Sequence, residues 1–238
     1  MTGLLRNLGW WAEDYAYAVA WQARAAVDRT DPRHFETGSR RPVVMIPGVY
    51  EPWQFLRPLI DRLHGGGHPV FVMPELGPNH GTLSEGAATV EDALVKRDLR
   101  EVIVVAHSKG GLIGKLVMLR ERMEGEGSVG EGIVGERSAP RVARMIAICT
   151  PFAGSRYAQY MPIRALRDFS PLDPAGISLR SDVSVNARIV SIFGPFDPHI
   201  PEGSELPGAT NRLVARGGHF RGLSDPEVQA IVLEEAGR

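Results

Sequence analysis

The chain has a single cysteine, Cys149, so no internal disulfide can form, and its setting in M-I-A-I-C-T-P at the end of an apolar run predicts a buried, inert thiol. It has no apolar run of about 18 residues, and so no candidate for a membrane-spanning helix. The basic start, apolar stretch and small-residue cleavage site of a secretory signal are missing, and the expected location is cytoplasmic. It also lacks a surplus of charge. Its 27 Lys and Arg face 28 Asp and Glu, a formal charge of −1, which speaks against nucleic acid as a partner and for small neutral or amphiphilic substrates.

What is present suffices for one sizeable core. With 238 residues, 43% of them hydrophobic, the chain has the size of a single α/β domain spanning 1–238. Short β-branched runs at 42–46, 69–73, 102–105, 141–149, 187–193 and 211–215 read as strands. Between them, 53–64, 89–98 and the segment after Ser108 carry helical periodicity, and 225–235 closes the chain with a helix for which Ser224 is the expected N-cap. Such alternation specifies a parallel sheet with helices on both faces and ligands at the carboxyl ends of the strands. Two stretches break the pattern. Residues 125–140 are rich in glycine and glutamate and read as a surface insertion, and 150–185 form a long apolar excursion expected to wall a pocket or act as a lid.

Ahead of the first strand, 1–41 is expected to be a helical extension, its helix running over 10–27 with Trp10, Tyr17 and Trp21 as a packing stripe. Glu13 and Asp14 read as first-turn acids of that helix. Aromatics of this kind also suit a lipid headgroup region, so a transient contact with a lipid surface stays open, although packing on the body is favoured.

Chemistry concentrates at V-I-V-V-A-H-S-K-G-G, residues 102–111. A buried strand turns there through Ser108 into a helix, and small residues on both sides of the serine relieve the crowding of so sharp a turn. A serine hydroxyl needs a base to become a nucleophile. Of seven histidines, His34, His64, His68 and His80 precede the serine and His107 adjoins it with its side chain directed elsewhere. His199 and His219 remain. For an acid to orient that base, Asp197 stands on a turn after the strand at 187–193, with Asp173 in reserve.

Taken together, P-G-V-Y-E at 47–51, A-H-S-K-G-G at 106–111, T-P-F-A-G-S at 150–155, F-G-P-F-D at 193–197 and G-G-H-F at 217–220 make the chain resemble the α/β-hydrolase superfamily, and within it small bacterial lipases and esterases. The resemblance runs from about residue 42 to the end and implies a mostly parallel central sheet with helices on both faces, preceded here by the N-terminal helix. The family's chain order of serine, acid, histidine implies Ser108 as nucleophile, Asp197 as acid and His219 as base, ahead of His199. It further implies an oxyanion hole from the backbone N–H groups of Val49 and Lys109, with Tyr50 as the neighbouring alternative, and a substrate wall including Tyr50, Phe152 and Met161. The implied activity is hydrolysis of a carboxylic ester or lipid, without metal or organic cofactor. A transferase or thioesterase using the same triad, and a non-catalytic binding module, are the rival readings. Three positions depart from the family pattern: Ala106 in place of the first elbow glycine, Pro47 before the oxyanion-loop glycine, and Lys109 after the serine. Lys109 is expected either to put its charge near the pocket mouth or to be an exposed bystander.

Overall fold

Val, Ile and Met on short segments need cover on both faces, and the sheet supplies it. Six strands, β1 (Val43–Ile46), β2 (Val70–Val72), β3 (Val102–His107), β4 (Val142–Ile148), β5 (Ile189–Phe193) and β6 (Thr210–Leu213), pair in the order β2-β1-β3-β4-β5-β6, every pair parallel. The computed structural model describes residues 2–127, 139–158, 169–170 and 173–238. Each expected strand forms, its ends displaced by at most two residues.

Side chains alternate across the sheet with period two. Val44, Ile46, Val104, Ala106, Met145 and Ala147 face a core with α3 (Leu83–Lys96) and α4 (Lys109–Gly127). Val43, Met45, Ile103, Val105, Ile146 and Ile148 face a second core with α2 (Arg57–Gly65) and the last helix. Among the described residues the other α-helices are α1 (Thr2–Val27), α5 (Pro174–Ser181) and that last helix, α6 (Pro226–Ala236). The chain leaves β1 for β2 on one side and returns to β3 on the other. This reversal puts the carboxyl ends of β1 and β3 side by side, where an open parallel sheet forms its ligand crevice.

Helix starts differ from expectation: the segment expected as a helix from 53 opens with a 3-10 turn over Trp53–Leu56 before α2 begins at Arg57. Helix α3 starts at Leu83, six residues before the expected 89, because Thr82 and Glu85 form a reciprocal cap in which each side chain accepts the other's backbone N–H. Helix α6 is capped by Asp225, whose carboxylate accepts Glu227 N–H at 2.9 Å, while the Ser224 hydroxyl donates to Tyr17 Oη at 2.8 Å. Helix α1 begins at Thr2 and not at 10, so Glu13 and Asp14 lie in its interior and are not first-turn acids. Of the 125–140 insertion, 128–138 lie outside the described residues, as do 159–168 and 171–172 of the excursion. Among the described residues no helix is long and apolar enough to cross a membrane.

Helix α1 packs on the second core through Tyr17, Ala18 and Trp21, but its polar contacts matter more. Asp14 is fully buried, and its Oδ1 accepts the backbone N–H groups of both Phe220 and Arg221 at 2.8 Å. Glu13 pairs with Arg216 at 2.6 Å, and Gln22 donates to the Tyr50 carbonyl at 2.8 Å. The helix therefore braces two loops at the carboxyl edge of the sheet. At the same edge α4 presses against β1 so closely that a Cβ on Gly110 would overlap the Ile46 carbonyl oxygen, and one on Gly111 would overlap the Thr150 hydroxyl.

Two stability outcomes follow. Asp14→Ala strands two half-buried N–H groups and should lower the free energy of unfolding by about 2 kcal/mol, whereas Asp14→Asn, which keeps an acceptor, should lose less; urea denaturation midpoints distinguish them. Gly110→Ala should destabilise by about 2–3 kcal/mol, because the obstacle is backbone that cannot rotate away, and an unchanged melting temperature would contradict the packing described.

Candidate active site

Ser108 stands between the last residue of β3 and the first of α4 with φ 50°, a left-handed conformation that costs a non-glycine residue on the order of 1 kcal/mol. The surroundings enforce it. Ser108 N–H donates to the Ile148 carbonyl of β4 at 2.9 Å, and the Ser108 carbonyl accepts Gly111 N–H at 3.1 Å. The turn lifts the hydroxyl out of the sheet, and Ser108 Oγ lies 3.0 Å from His219 Nε2.

His219 comes from the loop after β6, and that loop is threaded through tight quarters. A Cβ on Gly194 would overlap the Arg216 carbonyl, and Gly218, at φ 131°, would place one 2.8 Å from Asp14 Oδ1. The glycines of G-G-H-F are therefore there for close approach. His219 Nδ1 stands 2.8 Å from Asp197 Oδ2. Asp197 Oδ1 accepts the backbone N–H groups of His199 at 2.8 Å and Ile200 at 3.1 Å, so both carboxylate oxygens are held. Ser108, His219 and Asp197 thus form one continuous hydrogen-bonded line, with His219 and Asp197 both buried.

The electrostatics are consistent with that line. Burial would lift the Asp197 carboxyl, but the His219 ring and the His199 N–H outweigh it and hold the group below its ordinary range. For His219 burial opposes the charged form, and the Asp197 carboxylate, helped by Asp14 and Glu51, turns the net direction upward. His199 is half-buried: its ring packs on His219 with centroids 4.8 Å apart and its Nε2 meets the Tyr15 hydroxyl at 3.2 Å. Burial, with the His219 charge adding to it, pushes it down to about 4, so it stays neutral beside the base.

The β1 loop lies opposite. Gly48 N–H is taken by Glu51 Oε2 at 2.7 Å and Tyr50 N–H by the Pro78 carbonyl at 2.7 Å, which removes Tyr50 as an alternative anion donor. Val49 N–H has no partner among the described residues. Lys109 opens α4, where backbone N–H groups point out of the helix start. Its side chain is neither at a pocket mouth nor exposed. It is fully buried, and its ammonium donates to the carbonyls of Asn79, at 3.1 Å, and Gly81. Carbonyls held in place by the loop after β2 stand in for water around the buried charge. Asn79 in turn donates to the Pro47 carbonyl at 2.7 Å, so the lysine and the β1 loop share one anchor.

Tyr50, 48% exposed at φ 59°, stands at the site's edge. Phe152 is instead buried in the core beside α4 and offers no open wall, and Met161 lies outside the described residues. Asp173, the reserve acid, caps α5 by accepting Gly176 N–H at 2.7 Å. Side-chain donors of Cys149, Asp197 and His219 lie within 4.8 Å of one another. They make a poor ligand set, since burial pushes the Cys149 thiol well up and His219 Nδ1 is spent on Asp197. Asp14, Glu51 and His107 reach the site without any sequence signal beyond their presence in motifs that other residues made conspicuous.

No protein-family model and no curated protein sequence matches the chain. Solved structures do resemble it. Lipase B of Aspergillus fumigatus superposes with a TM-score of 0.61 at 15% identity, covering 88% of this chain and 55% of its own. Naproxen esterase of Bacillus subtilis gives 0.52 at 13% identity over 83% and 85%. The thioesterase RedJ of the prodiginine pathway in Streptomyces coelicolor gives 0.50 at 20% over 89% and 93%. At such identities the likeness is one of architecture: the parallel sheet with its flanking helices is that of the α/β-hydrolase fold.

Proposed function

We propose that the protein is a serine hydrolase that cleaves carboxylic esters through an acyl-enzyme. The observation that carries this reading is the unbroken line Ser108 Oγ, His219 Nε2, His219 Nδ1, Asp197 Oδ2, with spacings of 3.0 and 2.8 Å, set on a strained strand-to-helix turn. His219 takes the Ser108 proton as Oγ attacks the ester carbonyl, and Asp197 holds the imidazole in the tautomer that leaves Nε2 free to accept. The tetrahedral oxyanion is received by the N–H groups of Val49 and Lys109. Collapse expels the alcohol with the proton from His219, and water, deprotonated by the same ring, releases the acid. No step calls for a metal or organic cofactor. The substrate is a small ester or lipid with an apolar acyl part, with Tyr50 at the entrance.

The neutral ring is the working form of His219. Because its folded pKa is raised, activity should climb with pH along a limb displaced above that of a free imidazole, while Asp197, held low, and His199, neutral above about 4, do not titrate in that range. A kcat/KM profile with p-nitrophenyl esters checks this; a limb at or below the free-imidazole value would contradict it. With the same esters of graded chain length, Ser108→Ala and His219→Ala should each lose activity by about a thousandfold or more, and Asp197→Asn by about 10⁴-fold. A parent enzyme that shows neither turnover nor a burst would remove the ester-hydrolase reading. Acyl transfer to an added alcohol, amine or thiol in preference to water would instead identify a transferase.

A further inference from the structure

The ring of His219 is fixed at its tip by Ser108 and Asp197, but its backbone is fixed from behind by groups with no part in that line. The His219 carbonyl lies 2.9 Å from His107 Nε2. The other nitrogen of that ring, Nδ1, stands 2.8 and 2.9 Å from the two oxygens of Glu51. Glu51 Oε2 also accepts Gly48 N–H at 2.7 Å, so close that a Cβ on Gly48 would stand 2.8 Å from that oxygen. The result is a chain of four groups: Gly48 N–H, Glu51 carboxylate, His107 imidazole, His219 carbonyl. Glu51 is 1% exposed and His107 0%. One end of the chain is the β1 loop that carries Val49; the other is the residue that faces Ser108.

The proton count is constrained. A carbonyl only accepts, so His107 Nε2 carries a proton. Nδ1 faces a carboxylate at hydrogen-bond distance, and lone pair against lone pair would repel, so a further proton lies between ring and acid. A buried pair of this kind adds little net stability over apolar residues of the same volume. Apolar residues here, however, would leave Gly48 N–H and the His219 carbonyl without partners and would unlink the two loops. The chain's benefit is therefore one of position.

We infer that Glu51 and His107 are positioning residues that set the β1 loop and the His219 loop at one fixed separation about Ser108. They act through Gly48 and His219 and touch neither Ser108 Oγ nor a substrate. The kinetic consequences rest on the serine-hydrolase reading above; the linkage itself does not. Glu51→Gln preserves the chain, since the amide oxygen can accept Gly48 N–H and the amide N–H can donate to Nδ1 while Nε2–H still reaches His219. Glu51→Ala and His107→Ala sever it.

The test pairs kinetics with histidine NMR on the full chain. Severing should lower kcat on p-nitrophenyl esters by about 10–100-fold with KM within about threefold, the mark of lost alignment and not of lost binding, and Glu51→Gln should stay within about threefold of the parent. In ¹⁵N-histidine-labelled protein, the His219 Nδ1–H resonance should shift or broaden in the severed variants and stay in place in Glu51→Gln. Should His107→Ala fail to fold, the comparison of Glu51→Ala with Glu51→Gln decides alone. Parent-like kcat in Glu51→Ala, a loss confined to KM, or equal damage from Gln and Ala would each overturn the inference. A parent that cleaves no ester while its His219 resonance still responds to severing would sink the hydrolase reading and leave the linkage standing. An active parent whose resonance and kcat ignore severing would do the reverse.

Discussion

Everything at this site depends on holding Ser108 in a backbone conformation that its side chain disfavours. At φ 50° the residue would relax if the turn were free, and three neighbours prevent it: the Ile148 carbonyl that takes its N–H, Gly111 bound to its carbonyl, and Gly110 seated against the end of β1. The first belongs to β4, the last two to α4, and the seat to β1. The strain is therefore borne by the sheet and by the parallel register of β1, β3 and β4, elements with apolar side chains on both faces and little freedom to yield.

The two loops that face Ser108 have no such support of their own, and the structure supplies it by buried acids. Asp14 accepts the two N–H groups after His219, Glu51 holds Gly48 and, through His107, the His219 carbonyl, and Asp197 holds the ring while anchored by His199 and Ile200. Each carboxylate serves backbone groups that are wholly or partly shielded from water. Carboxylates suit this task because each oxygen accepts more than one bond, and bonds to a charged acceptor are about twice as strong as neutral ones.

The sheet leaves local marks in the sequence, and the line of Ser108, Asp197 and His219 could be named because the chain order of the resembled family was added to such marks. Period-two burial selects β-branched runs, and a serine between small residues after such a run, or a histidine after two glycines, reports steric need at one place in the chain. Asp14, Glu51 and His107 leave none. Apart from the short link of Glu51 to Gly48, their roles are set by partners 56 to 207 residues away, as in His107 with Glu51 and Asp14 with Arg221, and an acid with distant partners looks in sequence like any surface acid. In the sequence Asp14 accordingly reads as first-turn chemistry of a helix expected to start at 10, and Lys109 as a charge at the pocket mouth or an exposed bystander, whereas its ammonium donates to the carbonyls of Asn79 and Gly81. The Thr82 and Glu85 cap was different: it was fully written in the sequence, three residues apart.

Three acids around one imidazole carry an electrostatic consequence. All three favour the charged ring, and together they overcome the burial that favours the neutral one. A base with a raised pKa accepts a proton more readily but is neutral over a narrower range of pH, so the arrangement tolerates only so much negative charge. The distribution of the acids limits the effect. Only Asp197 touches the ring, at Nδ1; Asp14 spends its oxygen on two N–H dipoles, and Glu51 faces His107, with which it shares a proton. The two outer acids act on the ring from a distance and come after Asp197 in their effect on it. His219 is thereby braced on three sides while its ionisation is governed chiefly by the one carboxylate it contacts.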